Sequence, residues 1–259
     1  MMLLSVRGLK KSFGGIDAVA GIDFDLAAGE ILAMIGPNGA GKSTCFNMLM
    51  GQLRPDAGTI ALDGRPIAGL SPRAIWRRGV GRTFQITQTF TTMSVIENVQ
   101  TTLLSHHGRL LSLRPRAARL YLDEALGLLA RVGMADQAER PCGILAYGDL
   151  KRLELAVALA NEPRLLLMDE PTAGMAPAER VELMRLAAAI AGERRIGVLF
   201  TEHDMDVVFG HATRVMVLDR GRMVTVGAPA AVRADPEVRA IYLGEDDGGA
   251  SSPLARGGS

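Results

Sequence analysis

One nine-residue stretch, Gly36-Pro37-Asn38-Gly39-Ala40-Gly41-Lys42-Ser43-Thr44, constrains this chain more than any other. It matches the pattern G-x-x-x-x-G-K-[ST], and its surroundings fit the pattern as well. The apolar run Ile31-Leu32-Ala33-Met34-Ile35 before it reads as a buried strand, and Cys45-Phe46-Asn47-Met48-Leu49-Met50 after it reads as the body of a helix. In a strand–turn–helix of this kind, glycines let the backbone curl until several N–H groups converge on a phosphate. The helix N-terminus adds a dipole that favours negative charge. Lys42 supplies a point charge for the outer phosphates, and the Ser43 hydroxyl is placed to ligate Mg²⁺.

The bulk numbers narrow what surrounds this loop. The 259 residues are enough for one large core, alone or with attached subdomains. Hydrophobic residues make up 48% and aromatics only 4%, so aliphatic side chains must build that core. A formal net charge of +1 gives no global field toward nucleic acid, and no nucleic-acid partner is expected. Cys45 and Cys142 lack metal-ligand spacing and read as reduced core residues of a cytosolic protein. The opening residues 1–7 lack the apolar region of a signal peptide. No apolar run approaches the ~18 residues of a spanning helix. A soluble chain is therefore expected, one that reaches a membrane only through a partner.

Residues 3–10 and 16–26 are predicted strands, broken at Phe13-Gly14-Gly15. Asp23-Phe24-Asp25-Leu26 alternates as a half-buried antiparallel strand does. Arg54-Pro55-Asp56-Ala57-Gly58 signals a turn, residues 59–64 a short strand, and Ser71-Pro72 the start of a helix. Val80-Gly81-Arg82-Thr83-Phe84-Gln85 is another predicted strand. Ser94 and Glu97 make a capping box, with Val95, Val99 and Leu103 on one face of the helix that follows. Residues 105–119 are basic and irregular, and read as a solvated loop or a contact for a partner or for lipid headgroups. Residues 118–132 are a second predicted helix stopped at Gly133. Residues 145–149 lead into a third, with Leu150, Leu153, Val157 and Ala160 inward. The all-apolar runs 165–168 and 198–200 suit parallel strands covered on both faces, with the helix 177–191 between them. Residues 215–218 and 223–226 form a predicted hairpin. The Gly/Ser-rich residues 246–259 are expected to be disordered.

Asp169 and Glu170 close the apolar strand that starts at Leu165. A carboxylate there can hold Mg²⁺ through water, and the next can polarise an attacking water. Phosphoryl transfer needs such positioning and charge stabilisation more than covalent help. Gln85 ends a predicted strand and its amide can sense the γ-phosphate or the metal. His203 follows a third apolar run and can contact the γ-phosphate, and Phe13 can stack on adenine. Taken singly, these three read more readily as a polar strand-end amide, a surface or capping histidine and a core phenylalanine.

In order, the aromatic, the phosphate loop, Gln85, residues 145–149, residues 165–170 and His203 resemble the ATP-binding subunit of ABC transporters over nearly the whole chain. Leu145-Ala146-Tyr147-Gly148, Leu153-Glu154-Leu155-Ala156, Ala173-Gly174-Met175, Thr201-Glu202-His203-Asp204-Met205 and Tyr242-Leu243-Gly244-Glu245 look like the branched-chain amino-acid importer branch. The resemblance implies an α/β fold: a P-loop ABC ATPase core spanning 3–244, with an N-terminal antiparallel β subdomain and an α-helical subdomain inserted at about 88–160. It implies ATP and Mg²⁺, the latter held by Ser43, Gln85 and Asp169. Glu170 is then the catalytic base, His203 the γ-phosphate contact, and Gln85 the link to the permease. The signature Leu145, Ala146, Tyr147, Gly148 and Asp149 would cap the nucleotide of a second ATP-binding subunit. The other implied partners are two transmembrane permease subunits and a periplasmic substrate-binding protein. The implied location is the cytoplasmic face of a bacterial inner membrane.

Three positions depart from the family pattern. Ala146 replaces a signature serine, Asp149 stands where glutamine is common, and Ala176 stands where an aspartate or asparagine often communicates between the two sites. An active but asymmetric pair of ATP sites is the expectation. The expected function is import of branched-chain or related hydrophobic amino acids. The alternatives are ABC systems for urea, amides, aromatic acids or lipid and lipopolysaccharide, then a soluble non-transport ABC ATPase, then a small-molecule kinase.

Overall fold

The apolar runs predicted as strands do what such runs must do when no polar residue offers them a solvent face: they stack side by side and are covered twice. The structure is a computed structural model and describes residues 2–83, 89–109 and 120–243. Six strands form one sheet: β3 (Ile31–Ile35), β6 (Val80–Thr83), β7 (Leu165–Asp169), β8 (Gly197–Thr201), β9 (Arg214–Asp219) and β10 (Arg222–Gly227). Their order across the sheet is β10-β9-β3-β8-β7-β6. All neighbours are parallel except the β9–β10 hairpin. Alternation along each strand divides the core in two. Ile31, Ala33, Ile35, Leu166, Met168, Val198 and Phe200 face one apolar cluster. Leu32, Met34, Leu165, Leu167 and Leu199 face the other.

The second cluster lies under an antiparallel sheet of order β2-β1-β4-β5, built from β1 (Met2–Phe13), β2 (Ile16–Ala27), β4 (Ala57–Leu62) and β5 (Arg65–Pro66). Helix α1 (Lys42–Leu49) supplies Cys45, Phe46, Met48 and Leu49 to the same cluster, so it is held from both sides. Cys45 and Cys142 are both free thiols in the core, as expected. Burial pushes the Cys45 thiol up to about 12, which keeps it neutral and inert.

The predicted turns and caps recur in detail. Ser71 caps α2 (Pro72–Trp76), accepting from Ala74 N at 3.4 Å. Ser94 and Glu97 make the reciprocal capping box of α3 (Val95–His106), at 3.3 and 2.8 Å. Helix α4 is shorter than its expected 118–132. It runs Leu122–Arg131, because Tyr121 sits at φ 60° where an α-helix cannot continue. Helix α5 (Tyr147–Leu159) buries more than one stripe: Leu150 and Val157 are only half-buried, while Lys151 and Glu154 are buried and paired at 2.9 Å. Helix α6 (Pro177–Arg194) runs one turn past its expected end. Three short helices, α7 (Met205–His211), α8 (Pro229–Ala234) and α9 (Pro236–Leu243), carry too little periodicity to stand out in the sequence. Gln85, part of the basic stretch 105–119 and the tail 246–259 lie outside the described residues.

Candidate functional site

Parallel strands present their C-terminal ends on one edge, and the loops there gather the charged groups. Strand β3 delivers the phosphate loop. Gly36 must be glycine, since a Cβ there would lie 2.1 Å from the Leu218 carbonyl oxygen of β9. Gly41 is the N-cap of α1 at φ 101°, a left-handed conformation, and a Cβ there would meet the Ala18 carbonyl at 2.4 Å. The loop therefore wedges between β2 and the β9–β10 turn, fastened by Gly221 N donating to Ala40 O at 3.1 Å. The Lys42 ammonium is buried within it, donating to the carbonyls of Gly36 and, at 3.0 Å, Pro37. The first amides of α1 have no intrahelical acceptor, the arrangement that favours an anion at a helix N-terminus.

A cavity of about 300 Å³ opens over this loop, lined by Phe13, Ala18, residues 38–44, Glu170 and His203. Phe13 stands at the tip of the β1–β2 hairpin with half its surface exposed and the Lys11 ammonium 5.5 Å from its ring centroid. A larger hollow of about 530 Å³ lies on the other flank of the loop, against Arg220 and α9. Neither Lys42 nor Glu170 lines it, whereas both line the smaller cavity.

Glu170 adopts φ 46°, strained for a non-glycine residue, and its N–H is bonded to Thr201 O and Oγ1, both at 3.1 Å. That turn aims the carboxylate at His203, whose Nε2 lies 3.0 Å from Oε1. An ionised carboxylate only accepts, so Nε2 carries the proton in this contact. Asp169 does not line the cavity. One of its oxygens accepts from the Thr201 hydroxyl at 2.8 Å, and the other is ion-paired with Arg82 at 3.3 Å. Burial pulls the Arg82 guanidinium down from its ordinary value while Asp169 pushes it back. Two engaged oxygens still leave lone pairs for metal-bound water. Among the described residues no three His, Cys, Asp or Glu side chains cluster as metal ligands. A cation here would take its ligands from Ser43, phosphate and water, and this suits Mg²⁺, which keeps several waters.

The signature residues stand apart from this cavity. Ala146 is the extended N-cap of α5, Tyr147 and Gly148 open the helix, and Asp149 accepts from Gln137 Nε2 at 3.3 Å. The cavity thus unites Phe13, the phosphate loop, Glu170 and His203, but not Asp169 or residues 145–149. Sequence reasoning missed Arg82, Thr201 and Glu202. The buried Glu202 carboxylate accepts from Thr172 N and Oγ1 at 2.8 and 2.6 Å and from His203 N at 3.1 Å. Placing a glutamate inside an apolar strand end was the one available signal.

Comparison with known proteins agrees with this geometry. Residues 19–173 match the family model described as ABC transporter, and residues 222–248 match that of the branched-chain amino acid ATP-binding cassette transporter. The chain is 41% identical to the high-affinity branched-chain amino acid transport ATP-binding protein LivG of Escherichia coli, covering 94% of this chain and 98% of that one. It is 39% identical to BraF of Pseudomonas aeruginosa over the same shares, and 35% identical to the lipopolysaccharide export ATP-binding protein LptB of Acidithiobacillus ferridurans. Among solved structures, the ADP conformation of MJ1267, an ATP-binding cassette of an ABC transporter, superposes with a TM-score of 0.83 at 27% identity, covering 94% of this chain and 99% of that one. A phosphate cradle fused to a carboxylate–histidine pair, on a fold shared with these cassettes, places the chain in the ABC transporter family, as an ATP-binding subunit whose hydrolysis is coupled to transport.

Proposed function

We propose that this chain energises import of branched-chain or related hydrophobic amino acids, binding ATP·Mg²⁺ and hydrolysing it to drive membrane permease partners. The catalytic reading is carried by one observation, the Glu170–His203 pair 3.0 Å apart at the mouth of the phosphate cradle. In this reading Phe13 stacks on the base while Lys42 and the α1 amides hold the β- and γ-phosphates. Ser43 and Asp169, with Gln85, would hold Mg²⁺, which would neutralise charge on the phosphate oxygens. Glu170 orients a water in line with the γ-phosphorus and takes its proton as the P–O bond to the β-phosphate breaks. His203 turns its Nε2–H from Glu170 to a γ-phosphate oxygen once ATP arrives.

The substrate class rests on the match over residues 222–248 and on the LivG and BraF similarity. We infer further that the chain works with two permease subunits, a second ATP-binding subunit capped by residues 145–149, and a periplasmic binding protein, at the cytoplasmic face of the inner membrane. No helix among the described residues is long and apolar enough to cross a membrane. The weaker similarity to LptB supports lipopolysaccharide export as a second reading.

The test is ATP-driven uptake of labelled leucine by the chain assembled with its permease partners. Leucine uptake that disappears with Glu170→Gln, while ATP binding persists, is the expected result. Undiminished turnover in Glu170→Gln overturns the catalytic assignment, and uptake of other solutes but no branched-chain amino acid overturns the substrate class.

A further inference from the structure

His203 reaches Glu170 only because the turn that carries it is fastened on both sides. On one side Glu202 accepts from Thr172 N and Oγ1, in the loop that follows Glu170. On the other side Asp204 receives Arg180, whose Nη1 donates to Oδ2 at 2.7 Å. Arg180 also binds the loop itself, with Nε donating to Met175 O at 2.8 Å. The second Asp204 oxygen caps α7, accepting from Asp206 N at 3.0 Å and Val207 N at 3.3 Å. The Arg180–Asp204 pair is about one-third exposed on either side, shielded enough to hold its geometry.

The same loop touches the signature. The Tyr147 ring packs on Gly174, where a Cβ would lie 3.4 Å from it. Glu179 accepts from Ala176 N at 3.2 Å, and its carboxylate is close enough to Gly148 that a Cβ there would lie 3.1 Å away. Ala176 has no polar side chain, so the side-chain ties from this loop and the first turn of α6 to the His203 turn come from Thr172, which donates to Glu202, and from Arg180, which donates to Asp204.

We infer that Arg180 is a positioning residue for His203: with Glu202 as the opposite fastening, it clamps the turn 202–204 onto the loop after Glu170 and relays movement of the signature to His203. The inference rests on the catalytic reading of Glu170 and His203 above. Arg180 touches neither nucleotide nor the reacting atoms, so its loss acts on the rate of chemistry and not on ATP binding.

The experiment measures ATP turnover by the assembled transporter. Arg180→Ala is expected to lower kcat about tenfold with KM for ATP within about twofold, the pattern of a displaced catalytic group. Arg180→Lys, which keeps a charge for Asp204 but cannot bridge to Met175 O as well, recovers part of the rate. Asp204→Asn keeps the cap of α7 and lowers kcat in the same direction, which covers the case that Arg180→Ala fails to fold. Single-turnover hydrolysis in a His203→Ala background is the decisive comparison. There Arg180→Ala should change the rate less than about twofold, because the group it positions is gone. An equal loss in both backgrounds, or a loss confined to KM, overturns the inference. Full dependence on His203 with none on Arg180 sinks the inference alone, whereas a His203→Ala transporter of normal rate sinks the catalytic reading beneath it.

Discussion

Helices α1 and α5 both begin where the chain offers a helix N-terminus to an anion, yet they are built in opposite ways. Helix α1 opens after Gly41 with Lys42, has no acidic residue in its first turn, and faces a cavity. Helix α5 opens after Ala146 without a side-chain cap, carries Asp149 in its first turn, and has the Glu179 carboxylate against Gly148. The dipole is the same in both, worth about 0.3–1 kcal/mol to a nearby charge. The surrounding charge differs. In the proposed reading, the first terminus is a phosphate cradle complete within one chain. The second has its positive end partly met by its own carboxylates, so it can hold a phosphate only when another site brings compensating charge.

The largest effect expected from this difference is on nucleotide affinity. Lys42→Ala should weaken ATP binding by about 100-fold, from the loss of a charge-assisted contact. Asp149→Asn should leave the affinity of the single chain unchanged. Titration with a fluorescent ATP analogue checks both, and a change in the single chain with Asp149→Asn breaks the distinction. Stability comes next. Gly36→Ala drives a Cβ into the Leu218 carbonyl and should cost about 3 kcal/mol, seen as a lower denaturant midpoint. Gly148→Ala displaces only the flexible end of Glu179 and gains helix propensity, so it should stay within about 1 kcal/mol. A third, smaller effect sharpens the role of Asp149. In a Glu170→Gln chain, Asp149→Asn should tighten ATP-driven pairing about fivefold by removing repulsion, while lowering stability by about 0.5 kcal/mol through the lost dipole contact. Sedimentation with ATP and thermal melting read the two separately, and weaker pairing would show that Asp149 contributes to the cap.

The smallest effect concerns acid. Burial holds His211, at the end of α7, below its ordinary value of 6.5. The unfolded chain therefore takes up this proton before the folded one does. Stability from the neutral ring is present above about 6.5 and declines as the pH falls below it. His211→Gln should flatten that decline in melting curves between pH 7 and 5.

Much of this architecture was legible because its signals are local. The phosphate loop, the Ser94–Glu97 box and the alternation of β2 each lie within a dozen residues, and steric and hydrogen-bonding rules act at that range. Lys151 and Glu154 show the limit. The expected inward residues of α5 did not include them, yet both are buried, because neighbouring elements cover that face of α5 as well. Arg82 was passed over for a related reason: its partners Asp169 and Gln52 are 87 and 30 residues away.

By itself the sequence determined that a glycine-rich turn would join a buried strand to a helix, that acidic residues would end another apolar strand, and that His203 would follow a third. Those outcomes depend on backbone sterics and on the spacing of apolar side chains, properties carried by short segments. Only the tertiary structure decided that β3, β7 and β8 lie side by side, so that Lys42, Glu170 and His203 share one cavity while Asp169 is turned toward Arg82. It also decided that Glu202 and Arg180 fasten the turn between them. Such contacts form between groups distant in the chain, and their energies arise only once burial has brought those groups together and removed the water that would otherwise satisfy them.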